Sequence, residues 1–184
     1  MSLRIVESAV AAEQSDDLHE ARLLLILRQQ ADKGDGTVNG IMKLAKMDFL
    51  LRYPRYFERL LQQTRKRPPA VVMQAYERDT VESRMIRFRY GPWDKRYRRW
   101  IGLLVAKGLV DSFLSGRTVH IKLTARGRSI ADQIAAQSDF ADLDARTMQV
   151  SKAVGGMSGS GLKDLIYQVV PELTGMSWGE EIVI

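Results

Sequence analysis

The pattern of apolar and polar positions changes its period within one central stretch, residues 81–110. In the first half of this stretch apolar residues alternate with arginines over residues 86–90, which predicts a strand with one buried face. Gly91-Pro92 interrupts the alternation, and Pro92 suits the first turn of a helix. Beyond it the apolar residues recur at helical spacing as far as Gly108, a natural helix stop. The pattern therefore predicts a strand followed by a helix with one buried face and several basic ones.

The segment after that helix has the pattern of a β-hairpin followed by another helix. Two short runs of alternating character, residues 110–114 and 119–123, flank a turn signal at Ser115-Gly116. Thr124 can cap the next helix. A helix, a short hairpin and a further helix in this order form the C-terminal half of a winged helix. In that fold the helix before the hairpin can enter a DNA major groove.

The N-terminal half is predicted to be helical. Asp17 and Glu20 have the spacing of a capping box for a helix over residues 17–31. The central block of that helix is apolar on nearly every side, so it either lies in the middle of a core or is covered by a partner. A second helix is predicted over residues 41–51, and Asp48 can pair with Arg52 four residues later. Pro54 opens a third helix.

These elements predict a mainly α fold, a winged-helix core with a helical insertion and C-terminal helices. Residues 1–16 are expected to be a mobile arm, and residues 17–138 the winged-helix domain, with an insertion at residues 54–91. Residues 139–184 are expected to form a C-terminal helical extension and tail. Within that extension the glycine-rich run at residues 155–161 is predicted to be a flexible break.

Composition restricts the classes of function. The chain has 184 residues, a net charge of +6 and no cysteine. The absence of cysteine excludes disulfides, thiolate nucleophiles and thiolate metal sites. The apolar runs are shorter than the roughly 18 residues that a membrane span needs, so a cytoplasmic location without membrane association is expected. The positive charge makes anionic partners plausible.

No catalytic pattern emerges from the sequence. Gly156 and Gly161 have the spacing of a phosphate loop, but Leu162 stands where that motif needs lysine, which favours a hinge. His19 and His120 lack neighbours that would form a metal or catalytic site, and both are expected at the surface. We therefore expect no enzyme activity, no metal and no cofactor.

Basic residues concentrate in the middle third of the chain, interleaved with aromatic residues. This composition is typical of binding surfaces, although a solvated charged face is the alternative. Weak, salt-sensitive contact with nonspecific DNA is expected from it. The candidate nucleic-acid-binding residues are Arg65, Lys66, Arg67, Lys95, Arg96, Arg98 and Arg99.

A second set of residues is predicted to bind a protein partner. The extreme C-terminus is an apolar, β-prone segment behind two glutamates, and it could add a strand to another chain. The candidate partner-binding residues are Arg84, Arg87, Arg89, Tyr90, Trp93, Ile182, Val183 and Ile184.

Two runs of the sequence resemble a known family. They are KLAKMDFLLRYPRYFERLL at residues 43–61 and VESRMIRFRYGPWDKRYRRWIGLLVAKGLV at residues 81–110. It is the middle component of bacterial ABC-three-component systems, which includes the small subunit of Lamassu-type anti-phage systems. The resemblance covers about residues 18–140. The matching positions are Asp48, Arg52, Tyr53 and Pro54 in the first run and Arg84, Arg87, Arg89, Tyr90, Gly91, Pro92, Trp93 and Asp94 in the second.

This resemblance implies a non-catalytic winged-helix subunit that binds an SMC-like ABC ATPase encoded beside it, together with a separate effector. Contact with DNA is expected from the basic residues and not from the resemblance. A free-standing winged-helix transcriptional regulator is the alternative function. The insertion at residues 54–91 separates elements that a minimal winged helix places close together, which favours a protein partner over a simple repressor.

Overall fold

The computed structural model describes residues 15–33, 36–65, 68–78 and 84–183. The described chain is mainly helical with small antiparallel sheets, which confirms the predicted class at that level. Its helices are α1 (Asp16–Ala31), α2 (Ile41–Arg52), α3 (Pro54–Thr64), α4 (Tyr97–Ala106), α5 (Ala125–Ala135), α6 (Ala141–Val154), α7 (Gly159–Val169) and α8 (Glu172–Gly175). Its strands are β1 (Val38–Asn39), β2 (Ile86–Phe88), β3 (Gly91–Trp93), β4 (Val110–Ser115) and β5 (Thr118–Leu123), and short 3₁₀ turns cover Ala75–Arg78 and Ser138–Phe140.

The larger sheet has the strand order β1–β5–β4, and all its pairings are antiparallel. Val38 pairs with Ile121, while Val110 pairs with Leu123. The hairpin β4–β5, which we call the wing, therefore follows α4 as the sequence predicts. Thr124 caps α5 by accepting a hydrogen bond from the Gly127 amide at 2.9 Å, which confirms the predicted cap.

The predicted start of the helix at Pro92 is wrong. Residues 86–93 instead form a second hairpin, in which Arg87 pairs with Pro92 across a two-residue turn. Proline is tolerated in a two-stranded ribbon because it interrupts no central ladder. The helix α4 begins only after Asp94, whose carboxylate accepts a hydrogen bond from the Arg96 amide at 3.0 Å. Trp93 consequently belongs to β3 and not to the helix.

Helix α1 lies in the middle of the chain's own core. Its residues Leu23, Leu24, Leu25, Ile26 and Leu27 are at most 3% exposed. It contacts α2, α4, α5, α6 and β5, which together cover the apolar block. The hypothesis that a partner covers this helix is therefore unnecessary.

The predicted capping box at the start of α1 is wrong. Asp17 and Glu20 do not cap the helix; both accept from the Lys107 ammonium, at 3.3 and 2.7 Å. These ion pairs tie the start of α1 to the end of α4. Lys107 follows directly on the last residue of α4, and it engages the two carboxylates that the sequence assigned to a local cap.

The C-terminal helices share the core of the N-terminal ones. Helix α6 packs on α1 and α2, and α7 packs on α2 and α3. The glycine-rich run forms a short turn followed by the first turn of α7, which Ser158 caps by accepting from the Gly161 amide at 3.0 Å. Among the described helices, none is long and apolar enough to cross a membrane.

The C-terminal segment, residues 176–183, is paired within the chain. Ile86 forms a bridge with Glu181, and the Ile182 amide donates to the Met85 carbonyl at 2.8 Å. Ile182 is 1% exposed. The expectation of an unpaired β-prone tail is therefore wrong for the described residues, because β2 and the core already take up this segment. Ile184 lies outside the described residues.

Candidate functional site

A buried ion network lies at the centre of the molecule. The carboxylate of Asp48, which is 0% exposed, accepts hydrogen bonds from Arg22 at 2.5 Å, Arg52 at 3.0 Å and Tyr97 at 2.5 Å. The predicted pairing of Asp48 with Arg52 is confirmed, but it is buried. The network joins α1, α2 and α4, since each helix supplies at least one member.

The network continues into the second hairpin through Arg52. This guanidinium also donates to Asp94 at 3.0 Å, and Asp94 receives two further bonds from the Arg96 side chain at 3.0 and 2.8 Å. Asp48 and Arg52 belong to the run at residues 43–61, and Asp94 belongs to the run at residues 81–110. The two runs therefore meet in one buried network.

The electrostatics of the network follow from its alternating charges. Burial alone would raise the pKa of the Asp48 carboxyl, but the adjacent Arg22 and Arg52 guanidiniums hold this pKa below its usual value. Hydrogen bonds from Arg96 and the charge of Arg52 likewise lower the pKa of Asp94. Both carboxylates are consequently charged at neutral pH, and Tyr97 keeps its proton because burial and Asp48 raise its pKa.

Tyr53, also in the first run, secures the C-terminal segment. Its hydroxyl donates to the Ile182 carbonyl at 2.8 Å and accepts from the Met85 amide at 2.9 Å. Burial raises the pKa of Tyr53 to about 12, so the hydroxyl stays protonated well above neutral pH. Tyr56 donates in the same way to the Val183 carbonyl at 2.8 Å.

His19 is not a surface residue, contrary to prediction. It is 0% exposed, its ring lies 4.2 Å from that of Trp100, and its Nδ1 lies 2.7 Å from the Arg22 guanidinium. His19 thus extends the buried network. His120 is half-buried on β5, where its Nδ1 contacts the Asn39 side chain at 2.9 Å.

The predicted nucleic-acid contacts do not form one surface of free cations. Arg96 is engaged by Asp94, and Arg99 pairs with Asp16 at 2.6 Å, although its side chain stays 68% exposed. Lys95 and Arg98 are exposed, with no carboxylate partner among the described residues. Arg65 is exposed at the end of α3, whereas Lys66 and Arg67 lie outside the described residues.

Among the arginines predicted to bind a partner, one is structural and two are exposed. Arg87 is structural, since it donates to the Leu173 carbonyl at 2.8 Å and lies 5.2 Å from the Tyr167 ring. Arg84 is exposed and pairs with Glu181 at 3.2 Å. Arg89 is exposed and covers one face of Tyr90 at 5.2 Å.

An open groove of about 690 Å³ lies between the second hairpin, α4, the wing, and the starts of α2 and α7. No carboxylate occurs among its described lining residues. Five cations from four separate elements line it, namely Lys43, Lys46, Arg98, Arg117 and Lys163. Sequence analysis identified only Arg98 among them, because the others are far apart along the chain. We call this the aromatic–cationic groove.

Aromatic residues of the second hairpin form one wall of this groove: Phe88, Tyr90 and Trp93. Phe88 and Tyr90 are 39% and 49% exposed, which is unusual for such large rings. Phe88 stacks on Trp93 at 6.1 Å, and Trp93 packs on buried Tyr97 at 5.1 Å. The wall is therefore supported from behind by the core.

The wing exposes two large apolar side chains, Phe113 and Leu114, which lie on opposite faces of its sheet because they are consecutive in β4. Every residue of β4 after Val110 is exposed, including Phe113 at 49% and Leu114 at 69%. Phe113 stacks on His120 at 5.2 Å. Because β4 is the edge strand of its sheet, its outer backbone groups have no strand partner among the described residues.

No model of a known protein family matches the chain, and no curated protein or solved structure matches it either. Among the described residues, no group of three or more His, Asp or Glu side chains is placed to hold a metal ion.

Proposed function

We propose that this chain is a non-catalytic, winged-helix subunit of an SMC-like ABC ATPase complex of bacterial anti-phage defence, and that it docks on the ATPase through its wing. The observation that carries the docking is the edge strand β4, with Phe113 and Leu114 exposed. The resemblance of residues 43–61 and 81–110 to the middle component of ABC-three-component systems supports the identity of the partner.

The order of the elements supports the winged-helix assignment. A helix and a short strand precede two further helices, and α4 then leads directly into the hairpin β4–β5. The short strand β1 pairs with β5, which places it in the same sheet as the wing. This order of elements resembles that of a winged helix. The predicted insertion at residues 54–91, which includes α3, is an addition to that minimal order.

The exposure of β4 supports a protein partner at the wing. A strand edge that displays apolar side chains promotes unwanted pairing, and natural proteins usually shorten, charge or cover such edges. Asp111 is the one charged residue of β4, and it lies at the opposite end from Leu114. A partner strand paired with β4 would cover this edge and would pack beside Phe113 on one face of the sheet and Leu114 on the other.

The buried network supports a precise orientation of the wing. Helix α4 ends next to β4, and Tyr97 in its first turn is fixed by Asp48 at 2.5 Å. Lys107 at its other end is fixed by Glu20 at 2.7 Å. The helix before the wing is therefore held at both ends, which gives the docking surface a fixed position relative to the core.

A DNA-binding regulator is the second candidate, and the exposed Lys95 and Arg98 on and just before α4 favour it. Two such cations give weak, nonspecific and salt-sensitive binding, typically ~10⁻⁴ to 10⁻⁶ M at physiological salt. Arg96 and Arg99 are already paired with carboxylates, which lowers the charge available to a phosphate backbone. This contact is therefore an accessory one in our proposal.

Co-purification with the neighbouring ATPase tests the proposal. The full chain should recover the ATPase, and a Phe113→Ser/Leu114→Ser variant should lose most of it, because the wing loses both of these apolar side chains. Trp178→Ser is the matched control, since this residue is 67% exposed but lies away from the wing. Equal recovery by all three proteins would exclude the wing as the interface. If the unmodified chain recovers no ATPase, the accessory-subunit proposal fails and the regulator becomes the better hypothesis.

A further inference from the structure

We propose that the aromatic–cationic groove binds a short segment of unpaired nucleic acid, with bases stacked on the hairpin rings and phosphates held by cations of α2, α4, α7 and the wing. This site is distinct from the exposed surface of β4. The inference does not depend on the ATPase, because it concerns residues that the proposed docking surface does not include.

The rings of the groove are suited to stacking. Tyr90 is 49% exposed on the turn of the second hairpin, and Arg89 covers one of its faces at 5.2 Å. Phe88 is 39% exposed and stacks on Trp93, and Trp93 packs against the buried Tyr97. Phe88 and Trp93, which are supported from behind, lose little conformational freedom when a base stacks on them. Stacking of this kind accepts any base, so no base-specific contact is required.

The cations of the groove are suited to phosphates. Arg98 and Arg117 have no carboxylate partner among the described residues, and Lys43 donates only to the Gly155 carbonyl, at 2.8 Å. Lys163 contacts Asp164 at 3.0 Å, which partly neutralises it. The charges come from the wing and three helices, so they surround the groove instead of meeting at one point. A strand with several phosphates fits this distribution better than one phosphate does.

Lys46 is the strongest indication of a ligand. Its side chain is 2% exposed, lines the groove, and donates to the Met42 carbonyl of its own helix at 3.2 Å. Burial, together with the charge of Lys163, lowers the pKa of Lys46 to about 8, although the charge of Asp164 opposes this shift. A buried ammonium that forms no direct ion pair among the described residues destabilises a fold, so its presence in a groove is more typical of a binding site than of a packing role.

Unpaired nucleic acid is favoured over a duplex by the position of the rings. In a duplex each base face is already stacked on its neighbours, so Phe88, Tyr90 and Trp93 could reach the bases only by unstacking them. It is favoured over a single nucleotide by the charge around the groove, because the five surrounding cations exceed the charge of one phosphate group.

Fluorescence anisotropy with the full chain tests this site. The probe is a labelled oligothymidylate of about eight nucleotides, compared with a labelled duplex of equal length and with thymidine monophosphate as competitor. Tyr90→Ala should weaken binding of the single strand by roughly 5- to 150-fold, the range expected for loss of one stacked base. Arg98→Glu/Arg117→Glu should weaken it about tenfold or more and flatten its salt dependence. Lys152→Glu, an exposed charge change on α6 outside the groove, is the control.

A second readout separates binding in the groove from a change in folding. In a Trp178→Phe background the remaining tryptophans are Trp93, in the groove, and Trp100, in the core. A bound base should quench Trp93, and Tyr90→Ala should reduce the quenching at a given strand concentration. Equal or tighter binding of the duplex, indifference to Tyr90→Ala, or competition by the mononucleotide as strong as by the oligonucleotide would each overturn the proposal.

Discussion

Replacement of Asp48 by asparagine removes the charge at the centre of the buried network while keeping the shape of the side chain. Asp48 accepts from Arg22, Arg52 and Tyr97, and all these side chains are at most 3% exposed. In the Asp48→Asn variant Arg52 keeps Asp94 as a partner, and Arg22 loses its ion pair with Asp48. The buried region then carries an excess of positive charge, since the guanidiniums cannot release their protons.

The expected loss of stability follows from this imbalance. Removal of one partner from a buried ion pair typically costs about 3–5 kcal/mol, because the remaining charge stays buried without compensation. The retained amide oxygen can still accept one of the hydrogen bonds, so we expect about 3 kcal/mol for Asp48→Asn. A domain of this kind has a free energy of unfolding of about 5–15 kcal/mol, so the loss is large but leaves a folded protein to measure.

Urea denaturation followed by far-UV circular dichroism measures this loss. The control is Asp132→Asn, whose ion pair with Arg28 at 2.6 Å is partly exposed and should contribute about 1 kcal/mol or less. The pKa of Asp48 is held below its unfolded value, so its contribution is complete above that value and is lost as the pH falls. The Asn variant should accordingly lose less stability than the parent on acidification from pH ~5 to ~3. A loss equal to that of Asp132→Asn would refute the role of the network.

Two further substitutions test other parts of the structure. Tyr53→Phe leaves the Met85 amide and the Ile182 carbonyl without their buried partner. It should cost about 1–3 kcal/mol in urea denaturation and speed amide exchange at Ile182; unchanged exchange would contradict this anchor. Lys46→Met should raise stability at pH 7 by about 1–3 kcal/mol, because the lowered pKa of Lys46 reports an unfavourable buried charge. That gain should shrink as the pH rises from ~8 towards ~10.5, and a gain that does not change with pH would contradict it.

Local sequence patterns predicted several elements of the fold. The wing, the cap at Thr124 and the helix α2 follow from period, turn residues and capping preference, which act over a few residues. The second hairpin was missed because Pro92 suits a strand of a ribbon as well as the first turn of a helix. The pairing of β2 with residues 179–182 favours the hairpin over the helix, and this pairing is a contact between distant parts of the chain.

The functional surfaces were harder to predict than the fold. Lys43 and Lys46 lie on α2, Arg117 lies in the wing and Lys163 on α7, and the tertiary structure alone brings these three elements together around the groove. Conversely, the concentration of Arg96 and Arg99 in sequence predicted a free basic surface, yet Asp94 and Asp16 partly neutralise it.

Several charged residues of the runs 43–61 and 81–110 are buried, and the sequence did not predict their burial. Asp48 and Arg52 stand four apart in α2, and this spacing predicted their pairing. Their burial depends on Arg22, Tyr97 and Asp94, which arrive from other elements. A pattern along one helix identifies a pair but cannot show that other elements enclose it.

Hydrogen–deuterium exchange of the complex with the neighbouring ATPase tests the proposed function most directly. The free chain and the stoichiometric complex would be compared peptide by peptide across the wing, residues 110–123. The account predicts new protection in β4, centred on Phe113 and Leu114, while α1 and the buried network keep the protection they have in the free chain. Failure of the two proteins to form a complex, or protection confined to residues outside the wing, would contradict it.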